Sequence, residues 1–334
     1  MSEIKTTYVC GWNFEATFGN NGHGDFTAMI AGDTAYLFGD YPDSPICSII
    51  PEMSQSLIWR LDSRDYVALG QGKLLIKSKL QFGLMDGIPF YFTLGKTIDA
   101  GDGTPYTHAI SGTDPDEDLP SFTLHYEADD PNSTSHLDKD IIANRVDKLK
   151  LSANRNEAVK IELELIGLEI LDSVHLTNYP ALKATAVNKV FRFGFGAWSW
   201  DNSNQDAVLA FTLLIQNNLK PQHCDRATNK HRAKYLDSFM DRIITWTLTL
   251  NLKNKTLFDE IKTNTAKTFT VTFTREVDKW GTDDDVIVIT LSNSIIQSGP
   301  LHATPYNENQ YTLAGIAKTC TVQVNDLIQH YNSA

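Results

Sequence analysis

The chain has 334 residues, 42% hydrophobic and 21% charged, with a formal net charge of −12. That mix suits one large or two medium globular domains. The acidic balance argues against a protein that grips phosphate backbones, a task for clustered Lys and Arg, but is compatible with one that surrounds a polyanion and repels it.

The N-terminal segment "CGWNFEATFGNNGHGDF" is rich in Gly and aromatics and lacks sustained periodicity, so it is expected to form an arm or loops. Alternation starts near Lys73: in "KLLIKSKLQF", Leu74, Ile76, Ser78 and Leu80 share one side and Lys73, Lys77 and Lys79 the other. "GLMDGIPFYFTLG" has short helix or turn character. Gly95 to Leu119, full of Asp, Gly, Thr and Pro, reads as a loop. "LPSFTLHYEA" reads as a strand and "DDPNSTSHLDKD" as a second polar loop.

"RVDKLKLSANRNEAVKIELELIG" follows, two alternating runs around a polar turn. Leu149 and Leu151 lie between Lys148, Lys150 and Ser152. Val159, Ile161, Leu163 and Leu165 lie between Lys160, Glu162 and Glu164. One face is apolar and the other charged.

Further on, "KVFRFGFGAWSW", "AVLAFTLLIQNN", "RIITWTLTLNL", "KTFTVTFTREV", "DVIVITLSNSII" and "KTCTVQVND" read as strands. "KHRAKYLDSFM" fits a short helix or a structured loop, and "KTLFDEIK" a short helix. Thr245, Thr247 and Thr249 stand opposite Ile244, Trp246, Leu248 and Leu250; Thr270, Thr272 and Thr274 show the same spacing.

The order of element types occurs twice. The first half reads strand 74–82, helix 84–92, strand 122–126, then strands 146–153 and 158–166. The second reads strand 243–252, helix 255–262, strand 269–273, then strands 286–292 and 318–325, with extra length at 298–314. Phe122-Thr123-Leu124 thereby aligns with Phe269-Thr270-Val271.

Signals of chemistry are weak. "LGKT" (94–97) is similar to the end of a phosphate-binding loop, but Phe90 stands where that loop needs Gly. Asp114, Asp116 and Asp118 alternate like the start of a calcium loop, but Leu119 and His125 replace its Gly and Glu. His223, Cys224 and His231 lack a fourth metal ligand. "GHGD" (22–25) has no nucleophile context. Trp198 and Trp200 fit either a sugar-stacking platform or a buried core. Cys10, Cys47, Cys224 and Cys320 have no zinc or redox spacing, and "MSEIKTT" has no apolar signal region. Reduced thiols, synthesis in a cytoplasm, no membrane span, no cofactor, no metal and no enzymatic activity are the expectations.

The elements "DLPSFTLHYEADD" and "ANRVDKLKLSANRNEAVKIELELIG", then "FTLLIQNNLKP", a positively charged loop, "ITWTLTLNLKNKTLFDEIK" and "FTVTFT", resemble in this order the tail tube (major tail) proteins of long-tailed bacteriophages. "IPEMSQSLIWR" matches the family's linker less closely. The resemblance covers roughly residues 45–330. It implies a mainly β fold of two tandem tube-like antiparallel β-sandwich or half-barrel domains, each flanked by a short helix. The bounds expected are 1–50 for an arm with loops, 51–180 for the first domain and 181–334 for the second. It also implies a virion tail subunit whose copies form stacked rings around a DNA channel, with trimers of two-domain chains favoured over hexamers. Tape measure, terminator and baseplate proteins would be its partners. The long segments 95–119 and 128–140 are candidates for contacts between rings. Lys160, Glu162, Glu164, Thr245, Thr247, Thr249, Thr270, Thr272 and Thr274 are the expected lumen-facing residues, on polar and mildly acidic walls. Alternatives are a carbohydrate-binding β-sandwich of a tail fibre or baseplate, using Trp198 and Trp200, and the tube of a related injection machine.

Overall fold

A computed structural model describes residues 8–14, 35–37, 46–59, 66–100, 106–113, 117–129, 136–172, 190–222, 235–238, 241–251, 256–261, 264–275, 285–299, 301–302 and 310–326. In chain order the first elements are β1 (Tyr8–Phe14), β2 (Ala35–Leu37), β3 (Ile46–Trp59), β4 (Tyr66–Gly83), α1 (Ile88–Leu94), β5 (Gly95–Ala100), β6 (Tyr106–Gly112), β7 (Phe122–Asp129), β8 (His136–Asn154), β9 (Lys160–Gly167) and β10 (Glu169–Asp172). Then come β11 (Gly196–Trp200), β12 (Ser203–Asn204), β13 (Val208–Gln216), β14 (Leu219–Gln222), β15 (Tyr235–Ser238), β16 (Ile243–Asn251), α2 (Thr256–Glu260), β17 (Lys267–Thr274), β18 (Val286–Ser298), β19 (Leu301–His302), β20 (Gln310–Ala317) and β21 (Thr319–Asp326). The fold is mainly β, and every strand pairing described is antiparallel.

One long sheet forms a layer in the order β3, β4, β9, β8, β13, β16, β20 and the shared position of β18 and β19. Two smaller sheets cover it. The first has the order β2, β1, β7, β8, β10 and the second the order β12, β11, β17, β18, β21, β6, β5. Strands β8 and β18 belong to both layers. Each turns the corner at a bulge, the device by which strands switch sheets.

Period-two alternation sets the core. Along β9, Ile161, Leu163 and Leu165 are buried while Lys160, Glu162 and Glu164 are partly exposed. β16 buries Ile244, Trp246, Leu248 and Leu250, and β17 buries Phe269, Val271 and Phe273. These side chains form one continuous apolar core between the layers. Helix α1 is buried along most of its length, with Phe90, Phe92 and Leu94 inside and Phe92 packed 4.4 Å from Phe122. It starts with Pro in its first turn and ends at Gly95 in a left-handed conformation, φ 103°.

The register of the first half recurs in the second. Arg145 pairs with Ile166 and Ile295 with Ile316, a shift of 150 positions (145 to 295, 166 to 316). The same shift carries Leu151–Ile161 onto Leu301–Tyr311 and Ile170–Ile141 onto Cys320–Leu291. It carries the bulges too: Ala143 and Asn293 both have positive φ, 56° and 51°. The residue after each is buried and bonds back three positions. Asn144 Nδ2 donates to the Ile141 carbonyl at 2.6 Å, and Ser294 Oγ to that of Leu291 at 3.1 Å.

Five expectations need correction. Strand 158–166 corresponds to β20, not to 318–325, because β18 ends at Ser298 and the extra length at 298–314 contains the start of β20. Leu124, not Phe122, is the counterpart of Phe269: Leu124 pairs with Ile141 and Phe269 with Leu291, so the bulges displace the sequence match by two. Segment 95–119, read as a loop, contains the β5–β6 hairpin, which pairs with β21 from the far end of the chain. The N-terminal segment read as irregular includes β1, and "KHRAKYLDSFM" contains neither helix nor loop at Tyr235–Ser238 but a strand.

Candidate functional site

The outward face of the long sheet is the polar surface that the hairpin at 145–167 leads to. Cross-strand rows can be followed over it. One row runs Gly83, Lys160, Ser152, Thr212, Thr247 and Ala314. The next runs Gln81, Glu162, Lys150, Leu214, Thr245 and Ile316. A third runs Ser48, Lys79, Glu164, Lys148 and Gln216. A fourth pairs Thr249 with Thr312, their hydroxyls 3.0 Å apart.

Lys160, Glu162, Glu164, Thr245, Thr247 and Thr249 therefore share one face, although the two groups come from opposite halves. Thr270, Thr272 and Thr274 do not join them. They lie on β17 in the second covering sheet, pointing away from a core that Phe269, Val271 and Phe273 enter. One and the same alternation carries two different faces, and only pairing partners separate them.

The charges on this face are spent on one another. Lys79 Nζ is 2.6 Å from Glu162, Lys148 Nζ donates to Glu164 at 2.7 Å and Lys77 Nζ to Glu52 at 2.9 Å. Lys150 lies 4.0 Å from Glu162 and Lys160 3.8 Å from Glu157. The hydrogen bond to Glu162 holds the Lys79 ammonium above its usual pKa. Among the described residues of this face, lysines are at least as numerous as glutamates. The strands of the second half add hydroxyls instead of charge. Lys79, Lys148, Lys150, Ser152, Thr212 and Thr312 belong to the surface as well; the same alternation that singles out Glu162 marks them.

One end of this face is covered. Leu219 and Leu236 of the β14–β15 hairpin pack with Ile166 and Leu119 into a second apolar cluster. Arg145 is buried there, donating to the Leu236 carbonyl at 2.7 Å and lying 3.0 Å from Asp118.

The remaining candidates are accounted for by position. Trp198 and Trp200 are only 6% and 4% exposed. Trp198 packs on Phe193, Phe211 and Phe273, and Trp200 on Trp246 and Phe269. Sugar stacking needs an open ring face, and these rings are core. Leu94–Thr97 is the end of α1 entering β5, a helix end rather than a phosphate loop. Residues 22–25, Asp114, Asp116, His223, Cys224 and His231 lie outside the described residues. Among the described residues no group of three or more His, Cys, Asp or Glu is placed to hold a metal, and no helix is long and apolar enough to cross a membrane.

A buried polar cluster lies between the layers. His108 Nδ1 is 2.8 Å from Asp99 and Nε2 3.2 Å from Asp326. Burial lowers the imidazole pKa, but the hydrogen bonds to Asp326 and Asp99 outweigh it and the net shift is upward. Nearby, burial and the charge of Asp326 push Asp86 up to about 7, although the Ile88 N–H donates to it. These groups tie β5 and β6 to β21, and they are walled off from the polar face.

The long sheet thus has one apolar face and one face covered with hydroxyls and ion pairs, and it is unpaired at both ends among the described strands. Comparison of the sequence with protein families matches residues 3–314 to the phage tail tube protein family. The chain belongs to that family. A tail tube family member has a structural role in the tail of the virion, assembling with other tail components. A search of curated proteins finds no match to the chain.

Proposed function

We propose that the chain is a tail tube subunit built of two tube units in tandem. Three copies close a pseudo-sixfold ring, rings stack, and phage DNA passes through the hole on its way into the host. The repeated register supports the tandem reading: each half supplies four strand positions to the long sheet, in the same order. We take the two units as residues 51–180 and 181–334, with β3 extending the first back to Ile46; synthesis in the host cytoplasm before incorporation into the virion is part of the same reading. Tape measure, terminator and baseplate proteins meet the ends of the tube.

The observation that carries this reading is the outward face of the long sheet. Lys160, Glu162 and Glu164, with Thr245, Thr247 and Thr249, would line the channel. Ion pairs between neighbouring strands leave few free cations to neutralise phosphates, so DNA finds no strong point of attachment. Screening over about 8 Å keeps what field remains local. The outer Thr270–Thr274 face would lie on the far side of the wall. The work done is passive guidance and has no catalytic step.

Negative-stain microscopy of the purified protein tests the reading. Rings or tubes with a central hole are expected. Monomers alone at high concentration would contradict it.

A further inference from the structure

The β5–β6 hairpin is held from one side and hinged at its base. β6 is the only neighbour of β5 among the described strands, and Ile98 of β5 is 63% exposed. β6 in turn pairs with β21, from Ile110 opposite Val322 to Tyr106 opposite Asp326. Gly95 and Gly112 stand opposite each other where the hairpin leaves α1, and Gly95 is in the left-handed region. A glycine pair at this place lets the hairpin swing as a unit. Such a swing breaks no pairing of the long sheet.

The other fastening is His108. It faces Asp99 across β5 and β6, and its buried imidazole reaches Asp99 with Nδ1 at 2.8 Å and Asp326 of β21 with Nε2 at 3.2 Å. The Thr97 hydroxyl donates to the same Asp99 oxygen at 2.8 Å. Ionised carboxylates only accept hydrogen bonds, so the ring serves both of them only as imidazolium, with two N–H groups. A neutral ring turns a lone pair towards one of the two.

Other charged groups surround this contact. Asp86, buried ahead of α1, accepts from the Ile88 N–H and feels the charges of Asp326, Arg275 and His108. Arg275, just beyond β17, is held by Asp285 and by the Met85 carbonyl. Tyr91 of α1 feels the charge of Asp99. Burial and Asp326 push Asp86 up to about 7. Burial lowers the His108 value, but Asp326 and Asp99 raise it further. Loss of both protons makes the cluster more negative by two charges. Asp86, Asp99 and Asp326 are then three like charges in one buried space, an arrangement that low dielectric makes costly.

We propose that the β5–β6 hairpin is a proton-operated latch. It is closed on β21 while His108 and Asp86 carry their protons, and it swings away about Gly95 and Gly112 when both are lost. Opening uncovers Ile110, which is 1% exposed when closed, and frees the β21 edge for pairing with another strand. The latch joins the two halves of the tandem reading, but it needs no ring to operate.

Hydrogen exchange of the full chain tests this, read by mass spectrometry between about pH 5.5 and 8.5 and corrected for the intrinsic pH dependence of amide exchange. Residues 106–111 and 322–326 are expected to lose protection by about tenfold or more as pH rises, while β9 and β16 change little. The variant combining Asp86→Asn with His108→Gln is expected to have a flat profile over the same residues. Constant protection of the hairpin in the unaltered chain overturns the latch, as does an equal loss in β9 and β16. A pH-dependent opening that persists in the double variant also overturns it. If the double variant does not fold, Asp86→Asn alone decides: a clearly smaller loss supports the latch, and an unchanged loss overturns it. The measurement is made on the chain whether or not rings form, so its failure leaves the ring reading untouched.

Discussion

Trp246 stands directly opposite Gly315 in the long sheet, and the two are a matched pair. A Cβ on Gly315 would run into the indole and lie 2.6 Å from the Ile295 carbonyl oxygen. The equivalent pair in the first half is Ser78 opposite Leu165. Large and small have changed places across one cross-strand contact, and the core is filled both times.

Gly315→Leu alone is expected to destabilise the protein by about 2–4 kcal/mol through overpacking. Trp246→Ser alone opens a cavity of similar cost. The double variant recreates the first-half pair and is expected to recover at least about 1 kcal/mol relative to the sum of the single changes. Urea midpoints of the four proteins measure this. Strict additivity would show that the pair is not a unit.

The duplicated bulge gives a second test. Ala143 holds φ 56° with a Cβ that resists the left-handed region, whereas Asn293 holds φ 51° with a side chain that tolerates it. Ala143→Gly should stabilise by about 0.5–1 kcal/mol, and Asn293→Gly by less. Thermal melts that rank the two in the opposite order would contradict the equivalence of these corners.

The buried cluster sets a pH dependence. Asp86 takes up its proton at about 7 when folded, against an ordinary aspartate value of 3.8, so folding binds a proton between those values. Stability due to this group is full below about pH 4 and declines as pH rises towards 7. His108 has the same sign: its raised value means stability present below about 6.5 and lost as pH rises through the folded pKa. Asp86→Asn keeps an acceptor for the Ile88 N–H and removes the titration. Its unfolding midpoint should vary less between pH 4.5 and 8 than that of the unaltered chain, and above pH 7 it should be the more stable by on the order of 2–4 kcal/mol. Parallel curves would exclude Asp86 as the source.

The proposed guidance of DNA can be tested without touching the core. Glu162→Lys with Glu164→Lys breaks the pairs to Lys79 and Lys148 and leaves free cations on the face. Both glutamates are partly exposed, so a loss of stability within about 1 kcal/mol is expected. Tubes should still form, but DNA release should slow and recover with added salt, as phosphate contacts do. An unchanged release rate at low salt would count against DNA meeting this face.

Much of the wall was legible in the sequence because alternation was strong. Leu163 between Glu162 and Glu164, or Trp246 between Thr245 and Thr247, leaves one burial pattern to choose. Alternation does not say which sheet a face belongs to. Thr270–Thr274 and Thr245–Thr249 look alike until β17 pairs with β11 and β18, and β16 with β13 and β20. The β5–β6 hairpin was hidden for a related reason. "GKTIDA" has turn-forming residues and no apolar stripe, and what holds the hairpin are the pairing of β6 with β21 and a hydrogen bond from His108 to Asp326, 218 positions away. The counterpart of β9 was missed because the sequence Gly299-Pro300 breaks the alternation before it and Gly315 weakens its own pattern.

The central claim is that the long sheet faces a channel, and a cryo-EM map of assembled tubes tests it most directly. The account expects three chains per ring, with Glu162 and Thr247 projecting into the hole and Thr272 on the outside. A map that places Glu162 and Thr247 on the outer surface, or in a dry contact between subunits, would contradict it.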